Sequence, residues 1–271
     1  MNASEPLRHV SSRIHLDIDE PADLVFSVAV AAEHAPISET LAVAVDGLAV
    51  EVVEIEAPTG TRLHRVQGAP VGGLVLEYDA TVPPGSPPAE VTALESIASV
   101  RPSRYCDSDR LATIATSHFG GLEGLELVRA AVSWVRDHLV YAPGSTGPLD
   151  GALEVYLQRQ GVCRDSAHLV ITFLRAMGVP ARLVSVYAPG LVPMDFHAVV
   201  EAAVDGRWQV VDATGLAPRP SLVRIATGRD AADTAFLTVL GGRAALGSVR
   251  VDALVDGDLP LDDGLTLTQL T

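Results

Sequence analysis

Residues 83–88 read Pro83-Pro84-Gly85-Ser86-Pro87-Pro88. Each proline fixes its own φ and lacks a backbone N–H, so such a segment cannot lie within a helix or a central strand. The chain must therefore organise itself on either side of it, and the two sides carry different periodicities. Before it, short alternating stretches at 12–18, 24–30, 41–45, 48–52, 61–66 and 74–80 read as strands, with a hairpin turn at Asp46-Gly47. These imply a small β-sandwich over 1–82. The Pro-rich stretch 83–97 follows as a linker.

Beyond 97 the apolar spacing turns helical. Leu125, Val128, Val132, Val135 and Leu139 share a face, giving an amphipathic helix over 122–140. A loop at 143–148 leads to a short helix at 151–160, which Gly161 is expected to close. Another helix begins at Cys163, turns Ala167, Val170, Ile171, Leu174 and Met177 inward, and stops at Gly178 with Pro180 beyond. Strands follow at 181–187, 198–204 and 207–212. Helices succeeded by antiparallel strands argue an α+β fold. The second domain is expected over 98–245, with 246–271 as a C-terminal tail or strand.

Charge narrows the function. Thirty-four acidic residues face 19 basic ones, a net charge of −15, and every basic residue is Arg. Such a surface repels phosphate backbones and anionic headgroups, so neither nucleic acid nor a membrane is expected as a partner. Without Lys there is no Schiff-base or phosphate-loop lysine. The apolar run 24–32, interrupted by Ser27, is too short to span a bilayer, and the first residues lack a signal-peptide pattern. Two cysteines, Cys106 and Cys163, make no disulfide framework. The expectation is a cytoplasmic protein with two free thiols.

Cys163 falls in the first turn of its helix, where unpaired N–H groups and the helix dipole stabilise a thiolate. Its own N–H could help hold an oxyanion. His197 and Asp212 flank a hairpin with Asp205-Gly206 at its tip. A two-residue turn there pairs 204 with 207 and 199 with 212, placing 197 and 212 diagonally on one face, about 7–8 Å apart between Cα atoms. A carboxylate-oriented histidine is the recurring partner of a catalytic thiol. Taken singly, each residue is more simply a buried thiol, a strand-end histidine or a turn aspartate.

Together the motifs resemble a family. Gly161-Val-Cys-Arg-Asp-Ser-Ala-His168, continued by Leu-Arg-Ala-Met-Gly-Val-Pro-Ala-Arg182, is similar to the nucleophile helix of bacterial transglutaminase-like proteins. Phe196-His-Ala-Val-Val-Glu201 resembles their histidine strand, and Trp208-Gln-Val-Val-Asp-Ala-Thr214 their aspartate strand. The likeness extends to 101–106 and the helix around Trp134 upstream, to about Gly242 downstream, and to the β-rich first 80 residues. It implies a papain-like transglutaminase core with Cys163 as nucleophile, His197 as general base and acid, and Asp212 as orienting carboxylate. It implies no metal or other cofactor. Such enzymes form a thioester on the cysteine and pass the acyl group to water or to an amine. The expected partner is therefore a peptide or small amide, with an amine acceptor for the transferase case. Hydrolysis is favoured, since nothing in the chain announces a means of excluding water. A transamidase or amide-forming transferase is the alternative, and a non-catalytic binding module on the same fold a further one.

The remaining candidates have structural readings. Asp165 suits the helix dipole, His168 a packed role, Cys106 an inert thiol and Trp208 the core or an acyl pocket. A metal site drawn from Cys163, His168, His197 and Asp212 lacks any close-spaced ligand pair. Gln158, Gln160 and Trp134 are candidates for a second oxyanion donor.

Overall fold

The computed structural model describes residues 6–85 and 90–271. Part of the Pro-rich segment, 86–89, lies outside the described residues. The first strands are β1 (Arg8–Phe26), β2 (Ser38–Val45), β3 (Leu48–Ala49), β4 (Val53–Glu56), β5 (Arg62–Ala69) and β6 (Gly72–Val82). Next come α1 (Ala93–Val100), α2 (Ala112–Phe119), α3 (Gly124–His138), β7 (Val140–Tyr141), α4 (Ala152–Gln158), β8 (Gln160–Gly161) and α5 (Cys163–Ala176). Strands β9 (Ala181–Tyr187), β10 (His197–Val204), β11 (Arg207–Val211) and β12 (Val223–Gly228), helix α6 (Ala231–Thr234) and strand β13 (Leu237–Val255) complete the order.

The early strands form one seven-stranded antiparallel sheet, in the order β3-β2-β6-β1-β5-β4 with β13 on the free side of β1, rather than two separate sheets. The two strands expected at 12–18 and 24–30 are a single strand of 19 residues. It survives Pro21 because the ladder to β13 slips register on both sides of Glu20, the bulge geometry in which a strand tolerates proline. One edge of β1 pairs with β6 up to Ile18 and with β5 from Ala22. Its even-numbered side chains apart from Glu20, including Ile14, Leu16, Leu24 and Phe26, are buried.

Two expected boundaries differ from what forms. The division at 245/246 falls inside β13, which runs along β1 from Phe26↔Leu237 to Arg8↔Val255. The linker expected to 97 is helical from Ala93, where Thr92 and Glu95 form a capping box: Glu95 N donates to Thr92 Oγ1 (3.2 Å) and Thr92 N to Glu95 Oε2 (2.9 Å).

The second sheet is antiparallel, in the order β11-β10-β9-β12. Helix α5 packs on β10 and β9 beneath α1 to α4, and is buried nearly all round rather than along one stripe. Leu169, Ile171, Phe173 and Leu174 are fully buried, and so are His168 and Thr172. Buried helix and antiparallel sheets give the α+β class expected. The two sheets also share a core, with Tyr187, Val223 and Ile225 packing among Leu24, Phe26 and Leu76. The Tyr187 hydroxyl donates to the Val28 carbonyl (2.8 Å) and lies 3.0 Å from Ser12 Oγ.

A buried ionic chain crosses the same seam. Fully buried Glu201 accepts from Arg182 Nε (2.8 Å) and Arg224 Nη2 (2.6 Å), while Arg224 Nε reaches Glu33 Oε1 (2.7 Å) and Arg182 Nη1 reaches Glu95 Oε1 (2.8 Å). Burial alone would raise the Glu201 carboxyl; the guanidinium groups of Arg224 and Arg182 hold it down to about 2. Among the described residues no helix is long and apolar enough to cross a membrane.

Candidate active site

Local rules place the sulfur. Arg159, not Gly161, ends α4, adopting a left-handed φ of 59°, and the chain then enters β8, which lies parallel to β7 with Tyr141 opposite Gly161. Glycine is required at 161 because a Cβ there would come within 2.6 Å of the Asp165 Cβ. Asp165 folds back onto the start of α5: its Oδ2 accepts from Val162 N (2.9 Å) and Thr146 Oγ1 (2.6 Å), its Oδ1 from Arg164 Nη2 (2.7 Å). The capping carboxylate thus fixes the helix N-terminus at Cys163, whose amide, as first helical residue, has no partner within the helix. The Cys163 side chain is partly exposed.

The hairpin places the imidazole. Asp205 (φ 50°) and Gly206 (φ 73°) form the two-residue turn, and the register runs from Val204↔Arg207 to Val200↔Val211. His197 and Asp212 consequently meet: His197 Nε2 is 2.8 Å from Asp212 Oδ2. The other oxygen, Oδ1, accepts from Thr214 N (2.8 Å) and Thr214 Oγ1 (2.7 Å), which fixes the carboxylate plane. Both residues are buried.

His197 Nδ1 has no hydrogen-bond partner, and with Nε2 occupied it is the ring nitrogen that remains free. Burial works against a charged imidazole here, but the hydrogen bond to Asp212 and then the interaction with Cys163 outweigh it, and the group is raised to about 10. Burial likewise opposes the Asp212 charge, yet the bonds from His197 and Thr214 bring its carboxyl below the ordinary value. Of the three residues singled out from the sequence, His197 is bonded to Asp212 and shares the lining of one cleft with Cys163.

They open into a cleft of about 370 Å³ that Cys163, Arg164 and His197 line together with Tyr105, Phe196, Ile225 and Phe236. The other candidates lie elsewhere. His168 is fully buried, stacks on Tyr105 (5.3 Å between ring centres) and accepts from Ala231 N (3.1 Å), so it braces the cleft wall. Burial pushes the Cys106 thiol up to about 12, as suits an inert group. Trp208 is buried under Arg182 (4.0 Å to the ring centre) and does not line the cleft. Gln158 and Gln160 are exposed, and Trp134 is covered by Arg159 and stacked on Tyr156; none of the three lines the cleft.

Tyr141 was not among the candidates. Burial together with the charges of Cys163 and Asp195 raises its phenol, which marks it as a neighbour of the site. No local pattern marks a two-residue strand, so only the pairing of β7 with β8 brings this residue to the sulfur.

A sequence model of the transglutaminase-like superfamily core matches residues 115–213, which contain all three side chains. The chain is also similar to the crystal structure of a candidate cysteine protease from Cytophaga hutchinsonii. The two are 31% identical with a TM-score of 0.87, over 97% of this chain and 96% of that one. The chain belongs to the transglutaminase-like superfamily. Further similarity is to uncharacterized mycobacterial proteins. One from Mycobacterium leprae is 30% identical over 182 residues, 61% of this chain and 64% of that protein. One from Mycobacterium tuberculosis is 34% identical over 116 residues, 43% of this chain and 36% of that protein. The chain thus matches about two thirds or less of the length of these curated relatives.

Proposed function

We propose that the protein is a cysteine-dependent acyl-transfer enzyme that cleaves an amide bond through a thioester on Cys163 and hands the acyl group to water. The observation that carries the reading is the buried imidazole held 2.8 Å from Asp212, with its other nitrogen free and Cys163 on the same cleft. The Cys163 sulfur attacks the amide carbonyl carbon as its proton rests on His197 Nδ1. The developing oxyanion accepts from the Cys163 N–H and from the Tyr141 hydroxyl. The imidazolium then donates its proton to the departing amine, leaving the thioester. Water enters next; His197 takes one of its protons, hydroxide adds to the thioester carbonyl, and the thiolate departs as the acid is released. Asp212 keeps the ring oriented and favours its charged form throughout.

Hydrolysis is preferred over transfer to an amine because the nucleophile is partly exposed at the cleft, within reach of water. The substrate on this reading is a peptide or small amide. The test is to incubate the protein with a library of peptides and small amides, quench, and read the mass on Cys163. A thioester adduct that disappears in Cys163→Ala supports acyl transfer, and a product mass shifted by added amine would mark a transamidase. Full amide cleavage by Cys163→Ala would refute the proposal, and no adduct with any donor would point to a binding module.

A further inference from the structure

The active-site cleft continues from the sulfur toward the seam between the two sheets. Two hydroxyls that line it are left over from the structure's own hydrogen bonding. Ser27 Oγ and Ser185 Oγ are both buried and have no partner, and Ser27 as a residue is 2% exposed. Ser27 follows β1 and is anchored through its backbone N–H to the Phe236 carbonyl (3.0 Å), just before β13. Ser185 lies on β9, opposite Ala198, the neighbour of His197. The protein itself supplies neither hydroxyl with a partner, so both keep their hydrogen-bonding capacity on the one cleft they line and can give it to an incoming group.

The walls restrict that group. Phe196 and Phe236 stack at 5.3 Å between ring centres to make one apolar face, and Tyr105, held against His168, lines another part of the cleft. Aromatic walls of this kind favour a third ring in offset or edge contact. The charged side chains along the cleft are already committed or exposed: Arg164 to Asp165 (2.7 Å), His197 to Asp212 (2.8 Å), and Asp195 at the exposed surface. A charged tip beside the serines would be desolvated without a counter-ion. A hydroxyl tip can donate to one serine and accept from the other.

We propose that the cleft takes, on the acyl side of the scissile bond, an aromatic side chain bearing an uncharged hydroxyl, with Ser27 and Ser185 as its hydrogen-bonding partners. The assignment of an acyl side rests on the acyl-transfer reading above, whereas the pocket chemistry rests on the cleft itself. It also gives the first sheet a direct part in substrate choice, through Ser27.

Two readouts on the full chain test this. In Cys163→Ser, binding of p-cresol and of toluene is compared by NMR titration. The expected result is p-cresol tighter by about fivefold, with the preference falling to near unity in Ser27→Ala/Ser185→Ala. Equal binding, no binding of either probe, or a preference that survives the double substitution would overturn the pocket assignment. Since each serine hydroxyl is unpartnered, both single alanine variants should melt no lower than the parent, and they provide the same comparison separately. In the cysteine-containing protein, amides matched except for Tyr or Phe at the residue bearing the scissile carbonyl are compared by kcat/KM. A preference for Tyr of about tenfold, lost in the double variant, is expected; a preference for Phe would overturn the acyl-side placement. Absence of turnover with every amide would count against acyl transfer alone, because the p-cresol and toluene comparison does not use the sulfur.

Discussion

Asp212→Asn in a Cys163→Ser background should flatten a pH dependence of stability that the parent displays. The serine removes the thiol's own titration from the measurement and leaves the imidazole–carboxylate pair. An unfolded histidine loses its proton near pH 6.5, whereas the folded His197 imidazole, with the sulfur present, stays charged to about 10. The hydrogen bond to Asp212 at 2.8 Å comes first among the interactions that raise it and persists in the background protein. A raised folded value means the native state binds the extra proton, so its contribution is complete below pH 6.5 and declines as pH rises toward the folded value. The limiting slope is about 1.4 kcal/mol per pH unit. Integrated from pH 7 to 8.5 with the unfolded group mostly neutral, the loss is at most about 2 kcal/mol, and it is smaller to the extent that removing the sulfur lowers the folded value. In Asp212→Asn the raising partner is gone while burial remains, so this decline should vanish. Urea unfolding at half-unit pH intervals provides the stability, and the difference between the two proteins cancels every other titration they share. A difference that stays constant from pH 7 to 8.5 would refute the claim that Asp212 holds His197 charged, and the proposed proton route would fall with it.

Three other substitutions probe different parts of the molecule. Glu201→Leu removes the fully buried anion between Arg182 and Arg224, and the loss measured in urea should be about 3–5 kcal/mol, with Glu201→Gln intermediate; a change below 1 kcal/mol would mean that water or Glu33 already compensates the guanidinium groups. Tyr141→Phe should lower kcat about 100-fold as an oxyanion donor is lost, while iodoacetamide labelling of Cys163 continues at the parent rate. Equal losses in both would assign Tyr141 to holding the sulfur instead. Tyr187→Phe deletes the hydroxyl lodged between Val28 and Ser12 across the seam and should cost about 1–2 kcal/mol in thermal unfolding.

What the sequence disclosed follows from how local each signal is. The Cys163 helix and the His197–Asp212 hairpin were legible because each is fixed within about 20 residues by patterns that report directly on geometry: a stop at Gly178, a turn at Asp205-Gly206, an alternation that sets the register. The capping box at Thr92 and Glu95 was equally local and went unread because the neighbouring prolines argued for a linker. The long strands were not legible for a physical reason. Pro21 in β1 and Gly241-Gly242 in β13 are residue types that ordinarily interrupt a strand, yet the two face each other: Gly242 has a φ of 74°, and a Cβ there would collide with the Pro21 carbonyl. The irregularity of one strand is accommodated by the irregularity of its partner, more than 200 residues away in sequence. The meeting of Ser27 and Phe236 on the cleft depends on the same kind of distant pairing.

That distant pairing bears on why the first sheet and the cysteine–histidine core stay together. Were the sheet merely a cover, its contacts with the core would be apolar and interchangeable. Instead specific polar links cross the seam, among them Tyr187 to Val28, Arg224 to Glu33, and the Thr227 amide to Thr61 Oγ1 (3.0 Å). Buried hydrogen bonds add little net stability, but a mispaired one is costly, so such links select one relative placement of the two sheets from many that would bury similar apolar area. Strand β12 sits at the centre of this arrangement. It contributes Arg224 and Thr227 to the links and Ile225, between them, to the cleft. Fixing the seam therefore fixes the distance from Ser27 to the sulfur, and a substrate side chain can be measured against that distance.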